Sequence, residues 1–174
     1  MHKIVLVGYM GSGKSSVGRA LASRLSMVFK DLDREIEFEQ EMSISEFFGQ
    51  LGELAFRRME HIKLKAMLGG REGFVLALGG GTPCYAGNHL LLQTPGVLSV
   101  YLQTSVSNLS ARLLPEKASR PLIAQIPDKD LAGFIGAHLF ERDFYYRHAG
   151  HVIDTNGKLV EEIADEIIAQ LNLA

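Results

Sequence analysis

Residues Gly8–Ser15 read GYMGSGKS, directly after the apolar run Ile4–Val7 and before Val17, Leu21 and Leu25 at helical spacing. A buried strand that feeds a glycine-rich turn and opens a helix gathers backbone N–H groups around one point, where the helix dipole also favours negative charge. The stretch is therefore a phosphate-binding loop, and the chain is expected to bind a nucleoside triphosphate. Lys14 would reach the β/γ oxygens as a point charge, and Ser15 would offer its hydroxyl to Mg²⁺. Gly8, Gly11 and Gly13 permit a close approach that a Cβ would block. The expected nucleotide contacts on this loop are Gly11, Ser12, Gly13, Lys14, Ser15 and Ser16.

Outward from the loop, apolar runs recur at Phe74–Leu78 and Val97–Leu102, with weaker ones at Met27–Phe29 and His151–Ile153, and helical patterns lie between them. Unbroken rather than alternating apolar strands point to an α/β fold, a parallel sheet covered by helices on both faces. Ligands gather at the carboxyl ends of such strands. Three clusters follow those ends: the phosphate loop, Asp31-Leu32-Asp33, and Gly79-Gly80-Gly81. Ser43 and Glu46 form a capping-box pattern ahead of Ile44, Phe47, Phe48 and Leu51, so a helix starts there. Gly49 and Gly52 predict a break before a second helical stretch carrying Arg57, Arg58 and Ile62. Leu159, Val160, Ile163, Ile167, Ile168 and Leu171 mark a closing amphipathic helix.

Pro115, Pro121 and Pro127 exclude an undisturbed helix from Leu113 to Asp128. That stretch is either a flap that brings Arg120 over the phosphates and excludes water, or a solvated loop with an ordinary surface arginine. The whole chain, 1–174, is expected to form one domain. Its core would be 1–32, 74–111 and 149–174, its substrate-binding segment 33–62, and its lid about 113–127.

A length of 174 residues allows a full hydrophobic core. A formal net charge of -2, with Lys and Arg scattered rather than banked, gives no field for gripping nucleic acid. The N-terminal apolar run is too short for a signal-peptide core or a membrane span, so a cytoplasmic protein without a membrane partner is expected; a monomer is also expected. Cys84 is the only cysteine, which rules out an internal disulfide and a thiolate metal cluster. It reads as a small residue beside a glycine loop rather than a nucleophile. His148 and His151 lack zinc-site spacing and read as surface or packing residues.

Phosphoryl transfer demands charge placement more than covalent work: a magnesium carboxylate, a positioner of the acceptor, and cations near the transferred group. Asp31 suits the Mg²⁺ shell, through water, because Mg²⁺ gives up its waters reluctantly. Asp33 suits the acceptor hydroxyl and its proton, or it is the N-cap of the segment that follows, and the two readings are compatible. The run Leu78–Thr82, LGGGT, carries no carboxylate, which counts against an ATP-driven motor. Three consecutive glycines there suit a close approach by a ligand or another main chain.

Taken together, GYMGSGKS, DLD at Asp31–Asp33, FRR at Phe56–Arg58, GGGT at Gly79–Thr82, SRPL at Ser119–Leu122 and the segment Arg142–Arg147 resemble the shikimate kinase family in order and spacing. The resemblance runs over nearly the whole chain. It implies a P-loop nucleoside monophosphate kinase-like fold: a five-stranded parallel sheet of order 2-3-1-4-5, helices on both faces and a mobile lid. It also implies ATP- and Mg²⁺-dependent phosphorylation of the 3-hydroxyl of shikimate, a step toward chorismate and the aromatic amino acids. By position, Asp33, Arg57, Gly80 and Arg142, with Gly79 and Gly81 flanking, correspond to shikimate contacts, and Phe48 and Phe56 to the pocket lining. Arg120 corresponds to a lid arginine reaching the transferring phosphate and Arg112 to a residue against the adenine or its phosphates. The implied catalytic set is Lys14, Asp33 and Arg120.

The chain departs from some relatives in two places. One extra residue separates Arg112 from Arg120, and Gly157 and Lys158 follow Asp154-Thr155-Asn156 where an arginine stands in those relatives. The nearest rival is a gluconate-type sugar-acid kinase, which would share the loop and the acidic segment. A rival of another class is a non-catalytic nucleotide-binding regulatory module, although the guanine-specific N-K-x-D pattern is absent.

Overall fold

Ile4, Val5, Leu6 and Val7 are each fully buried, which a strand achieves only at the centre of a sheet covered on both faces. In the computed structural model, which describes residues 2–173, they form β1 (Lys3–Val7). It lies between β3 (Phe74–Ala77) and β4 (Val97–Gln103), with β2 (Val28–Asp31) beyond β3 and β5 (His151–Asp154) beyond β4. All pairings are parallel and the order is β2-β3-β1-β4-β5, as the family resemblance implies.

The two-residue alternation of β1 sorts the helices into two layers. Ile4 and Leu6 pack against α1 (Lys14–Arg24) and the closing helix α8 (Val160–Gln170) through Val17, Leu21, Ile163 and Ile167. Val5 and Val7 face the other layer, made by α2 (Leu32–Gln40), α3 (Ile44–Gly69), α5 (Val106–Leu113) and α7 (Asp128–Tyr146). A short helix α4 (Asn88–Leu91) follows the glycine loop, and Asn88 ties it down by donating from Nδ2 to the Thr82 carbonyl at 2.8 Å. Leu159, counted with the apolar stripe of α8, is the exposed residue just before that helix.

The register brings the functional clusters together. Leu6 stands opposite Ala77, and Asp31 stands opposite Ala77 on its other side. Beyond the strand end the Leu78 amide still donates to the Leu6 carbonyl at 3.1 Å. The chain segments leaving β1, β2 and β3 therefore emerge side by side at one edge of the sheet, the crevice in which open parallel sheets bind ligands.

Two local expectations hold in detail. The capping box forms: the Glu46 amide donates to Ser43 Oγ at 3.2 Å, and Glu46 Oε2 accepts from the Ser43 amide at 2.9 Å. The break in α3 falls at Gly52, at φ 80° and ψ 168°, while Gly49 stays helical. After α5 the chain makes a 3₁₀ turn at Lys117–Ser119 and a short helix α6 (Pro121–Ala124), and it resumes at α7 just past Pro127. Ile123 of α6 is fully buried, so this proline-rich stretch is anchored in the core at that point. None of the described helices is long and apolar enough to cross a membrane.

Gly52 and Gly49 give opposing expectations. The Gly52 backbone lies in a region that only glycine adopts freely, so Gly52→Ala lowers unfolding stability by about 1–3 kcal/mol. Gly49 is helical with open space around it, so Gly49→Ala raises stability by about 0.5–1 kcal/mol, and urea titration of both variants against the parent measures the two effects.

Candidate active site

Gly13 caps α1 in the left-handed region, at φ 94°, and this turns the first helical amides toward the mouth of the crevice. Lys14 is the first residue of that helix, and its Nζ donates to the carbonyls of Gly8 at 2.8 Å and Tyr9 at 2.9 Å. Burial pushes its ammonium pKa down to about 8, against the opposing pull of Asp33 and Asp31 and with help from Arg120 and Arg142. Five sequence-predicted charges thus act on one another at the head of the loop. Ser12 is buried under it and Ser16 lines the cavity above it.

Ser15 Oγ donates to Asp31 Oδ2 at 3.1 Å, and Asp31 Oδ1 accepts from the Asp33 amide at 3.2 Å. Asp31 is therefore the N-cap of α2, a role the sequence had suggested for Asp33. Asp33 sits inside the first turn, where its carboxyl is free of capping duty. Its pKa is pushed up to about 6, first by burial and then by the nearby charges of Glu60 and Asp31; Lys14 and Arg57 oppose the shift.

The loop Gly79–Gly81 supports three of these side chains. A Cβ on Gly79 would stand 3.0 Å from Asp33 Oδ1, one on Gly81 2.7 Å from Arg57 Nη2, and one on Gly80 3.5 Å from Arg142 Nη1. Tyr146 donates its hydroxyl to the Gly80 carbonyl at 2.6 Å. A cavity of about 500 Å³ lies on one side of this loop, bounded by the phosphate loop, Asp31, Asp33, Arg112 and Arg120. A second, of about 460 Å³, lies on the other side against Arg57, Gly81, Cys84 and Arg142.

Glu60 escaped the sequence reading. It is fully buried, accepts from Arg57 Nη1 at 2.6 Å and also holds the Thr82 hydroxyl. Arg57 donates in addition to the exposed Glu53, at 3.3 Å from Nη2. The i,i+3 spacing of Arg57 and Glu60 was visible, but the burial that separates it from a surface pair arises where α3 meets the glycine loop.

Phe56 is buried beneath Arg57, whose guanidinium carbon is 5.6 Å from the ring centre, and it packs on Phe48 at 4.8 Å. Neither ring lines the two cavities. Arg112 is exposed and donates to the Gly11 carbonyl at 3.2 Å. Arg120 turns to Glu116, while Lys158 pairs with Glu166 of α8 at 2.5 Å. Burial pushes the Cys84 thiol up, which leaves it a poor nucleophile. His148 packs edge-on against His89, a packing role.

The shikimate kinase family model matches residues 10–172. A shikimate kinase of Flavobacterium johnsoniae is 45% identical over 168 residues, covering 97% of this chain and 98% of that protein. Among solved structures, a shikimate kinase from Acinetobacter baumannii in complex with shikimate superposes with a TM-score of 0.85 at 36% identity, covering 99% of this chain and 93% of that one. A shikimate kinase from Bacteroides thetaiotaomicron gives a TM-score of 0.89 at 29% identity, covering 98% of each chain.

The raised pKa of Asp33 has a measurable effect on stability. The folded chain holds the Asp33 proton more tightly than the unfolded chain does, so ionised Asp33 burdens the fold once the pH is above about 6. Asp33→Asn removes that burden, and its thermal midpoint should exceed the parent's at pH 8. The gain should shrink through pH 6 and vanish below the unfolded value of 3.8, where the carboxyl is protonated in both states. Equal midpoints at pH 8 would show that Asp33 is not strained.

Proposed function

This chain belongs to the shikimate kinase family, and from that premise we infer that it transfers the γ-phosphoryl group of ATP to the 3-hydroxyl of shikimate, giving shikimate 3-phosphate and ADP. The observation that carries the assignment of roles is the convergence of Asp33, Arg57 and Arg142 on the bare backbone of Gly79–Gly81, with Asp33 sharing the first cavity with Lys14 and Arg120, and Arg57 and Arg142 lining the second.

The triphosphate lies along Gly11–Ser16, within reach of Lys14. Shikimate lies against the glycine loop, its carboxylate gripped by the planar forks of Arg57 and Arg142. Glu60 holds Arg57 in place before the acid arrives, so little ordering is left to be done on binding. The 3-hydroxyl oxygen then forms its bond to the γ-phosphorus as the bond from that phosphorus to the β,γ-bridging oxygen breaks. The bridging electrons leave with ADP. The hydroxyl proton passes to Asp33, whose pKa near 6 leaves it ionised at neutral pH yet basic enough to accept. Charge spread over the equatorial oxygens is met by Lys14 and Arg120.

Ser15 and Asp31 supply adjacent hard oxygen donors, a set that fits Mg²⁺. Among the described residues there is no group of three or more His, Cys, Asp or Glu that could hold a metal ion. When bound with ATP, Mg²⁺ neutralises phosphate charge. Phe48 and Phe56 act as the packed floor under Arg57, and Arg112 acts beside the adenine or its phosphates. We place the enzyme in the cytoplasm as a monomer, without nucleic-acid or membrane partners. Family membership weakens the case for both the sugar-acid kinase and the regulatory module.

A coupled ADP-release assay tests this reading. Shikimate should drive ADP formation, while gluconate and water should leave it at background; gluconate turnover with shikimate inert would reverse the assignment. Lys14→Ala should lower kcat by about 10²–10³. Arg57→Ala should raise the KM for shikimate by about tenfold or more while the KM for ATP stays within about twofold. An unchanged shikimate KM would remove Arg57 from the acid clamp.

A further inference from the structure

Glu116 is a third carboxylate, beside Asp31 and Asp33, on the wall of the cavity that Lys14, Arg112, Arg120 and the amides of the phosphate loop make attractive to anions. Its Oε2 accepts from both Nε of Arg120, at 3.2 Å, and Nη2, at 2.5 Å. Arg120 is the cation assigned to the transferring phosphate, so its guanidinium is already engaged by a competitor. We propose that Glu116 is a positioning residue: it holds Arg120 off the phosphates when the γ-phosphate is absent, and so sets how tightly the nucleotide is held. This inference rests on the triphosphate lying along Gly11–Ser16.

The surroundings suit an exchange of partners. Glu116 and Arg120 lie one turn apart, and their side chains are 57% and 35% exposed, so the pair is hydrated and weak. The turn that carries them is fixed at its far end. Lys117 donates to the Ile126 carbonyl at 2.8 Å and pairs with Asp128, and Ile123 is fully buried. Arg120 can therefore change partners by side-chain rotation within an anchored turn. Its charge already reaches Lys14, whose ammonium it helps to push down, so neutralisation by Glu116 is felt at the head of the loop. An arriving γ-phosphate offers several anionic oxygens against one exposed carboxylate. Once the group has moved to shikimate, ADP no longer makes that offer, and Arg120 returns to Glu116.

Calorimetric titration with the Mg²⁺ complex of a β,γ-imido analogue of ATP tests the idea in the parent, Glu116→Gln, Arg120→Ala and the double variant. Glu116→Gln should tighten analogue binding by about two- to fivefold in the parent background. It should change nothing in the Arg120→Ala background, and the KM for shikimate should not move. Unchanged or weaker binding in Glu116→Gln would overturn the proposal. So would equal tightening in both backgrounds, which would mean that the carboxylate acts on the phosphates directly. Lys14→Ala separates this from the underlying reading. If Lys14→Ala binds the analogue as tightly as the parent does, the triphosphate is not on this loop. If it binds weakly while Glu116→Gln is silent, only the role of Glu116 fails.

Discussion

Arg57 rests its guanidinium against Gly81 so closely that a Cβ there would stand within 2.7–2.9 Å of three of its atoms; Asp33 crowds Gly79 at 3.0 Å, and Arg142 lies at ordinary contact distance, 3.5 Å, from a Cβ on Gly80. Asp33 and Arg57 can press on this stretch of main chain only because Gly79 and Gly81 carry no side chains, and Arg142, from a third helix, joins them at ordinary contact distance. The parallel register makes the meeting possible, since β2, β3 and β1 end together and release their loops at one edge. The site is thus a consequence of strand pairing in a sheet buried on both faces, with the glycine loop as its floor.

Electrostatics then separates the roles. Lys14 and Asp33 share one buried neighbourhood, and burial drives their pKa values toward each other, the ammonium down to about 8 and the carboxyl up to about 6. Each stays charged at neutral pH by a narrow margin, the condition in which a cation can respond to a phosphate and a carboxylate can take a proton. Arg57 is held differently, by the buried Glu60. An unpaired charge at that depth would be strongly destabilising, so the pair acts as one unit. The fold tolerates an uncomfortable Asp33 and a fixed Arg57 at the site because the two hydrophobic layers elsewhere supply its stability.

Much of this was legible in the sequence, for physical reasons that differ from part to part. The phosphate loop is local, since its strand, glycines and helix are contiguous, and the break at Gly52 and the Ser43–Glu46 box are likewise decided by near neighbours. The strand order came from family resemblance, because periodicity identifies strands without ordering them. Less legible were features that depend on which element packs on which. Glu60 is an ordinary helix glutamate until α3 settles on the glycine loop. The cap fell to Asp31 rather than Asp33 because β2 runs two residues beyond the apolar Met27–Phe29 run. The proline-rich stretch gave no sign that Ile123 would anchor it, and Glu116 was hidden among the lid charges.

The central claim is spatial: a triphosphate on the first turn faces a hydroxylated acid across a bare glycine loop. A crystal soaked with shikimate and ADP tests it most directly. The account predicts the shikimate carboxylate between Arg57 and Arg142 and a ring hydroxyl within hydrogen-bonding distance of Asp33, on the side facing the terminal phosphate. Shikimate bound elsewhere, or bound with its carboxylate remote from both guanidinium groups, would contradict it.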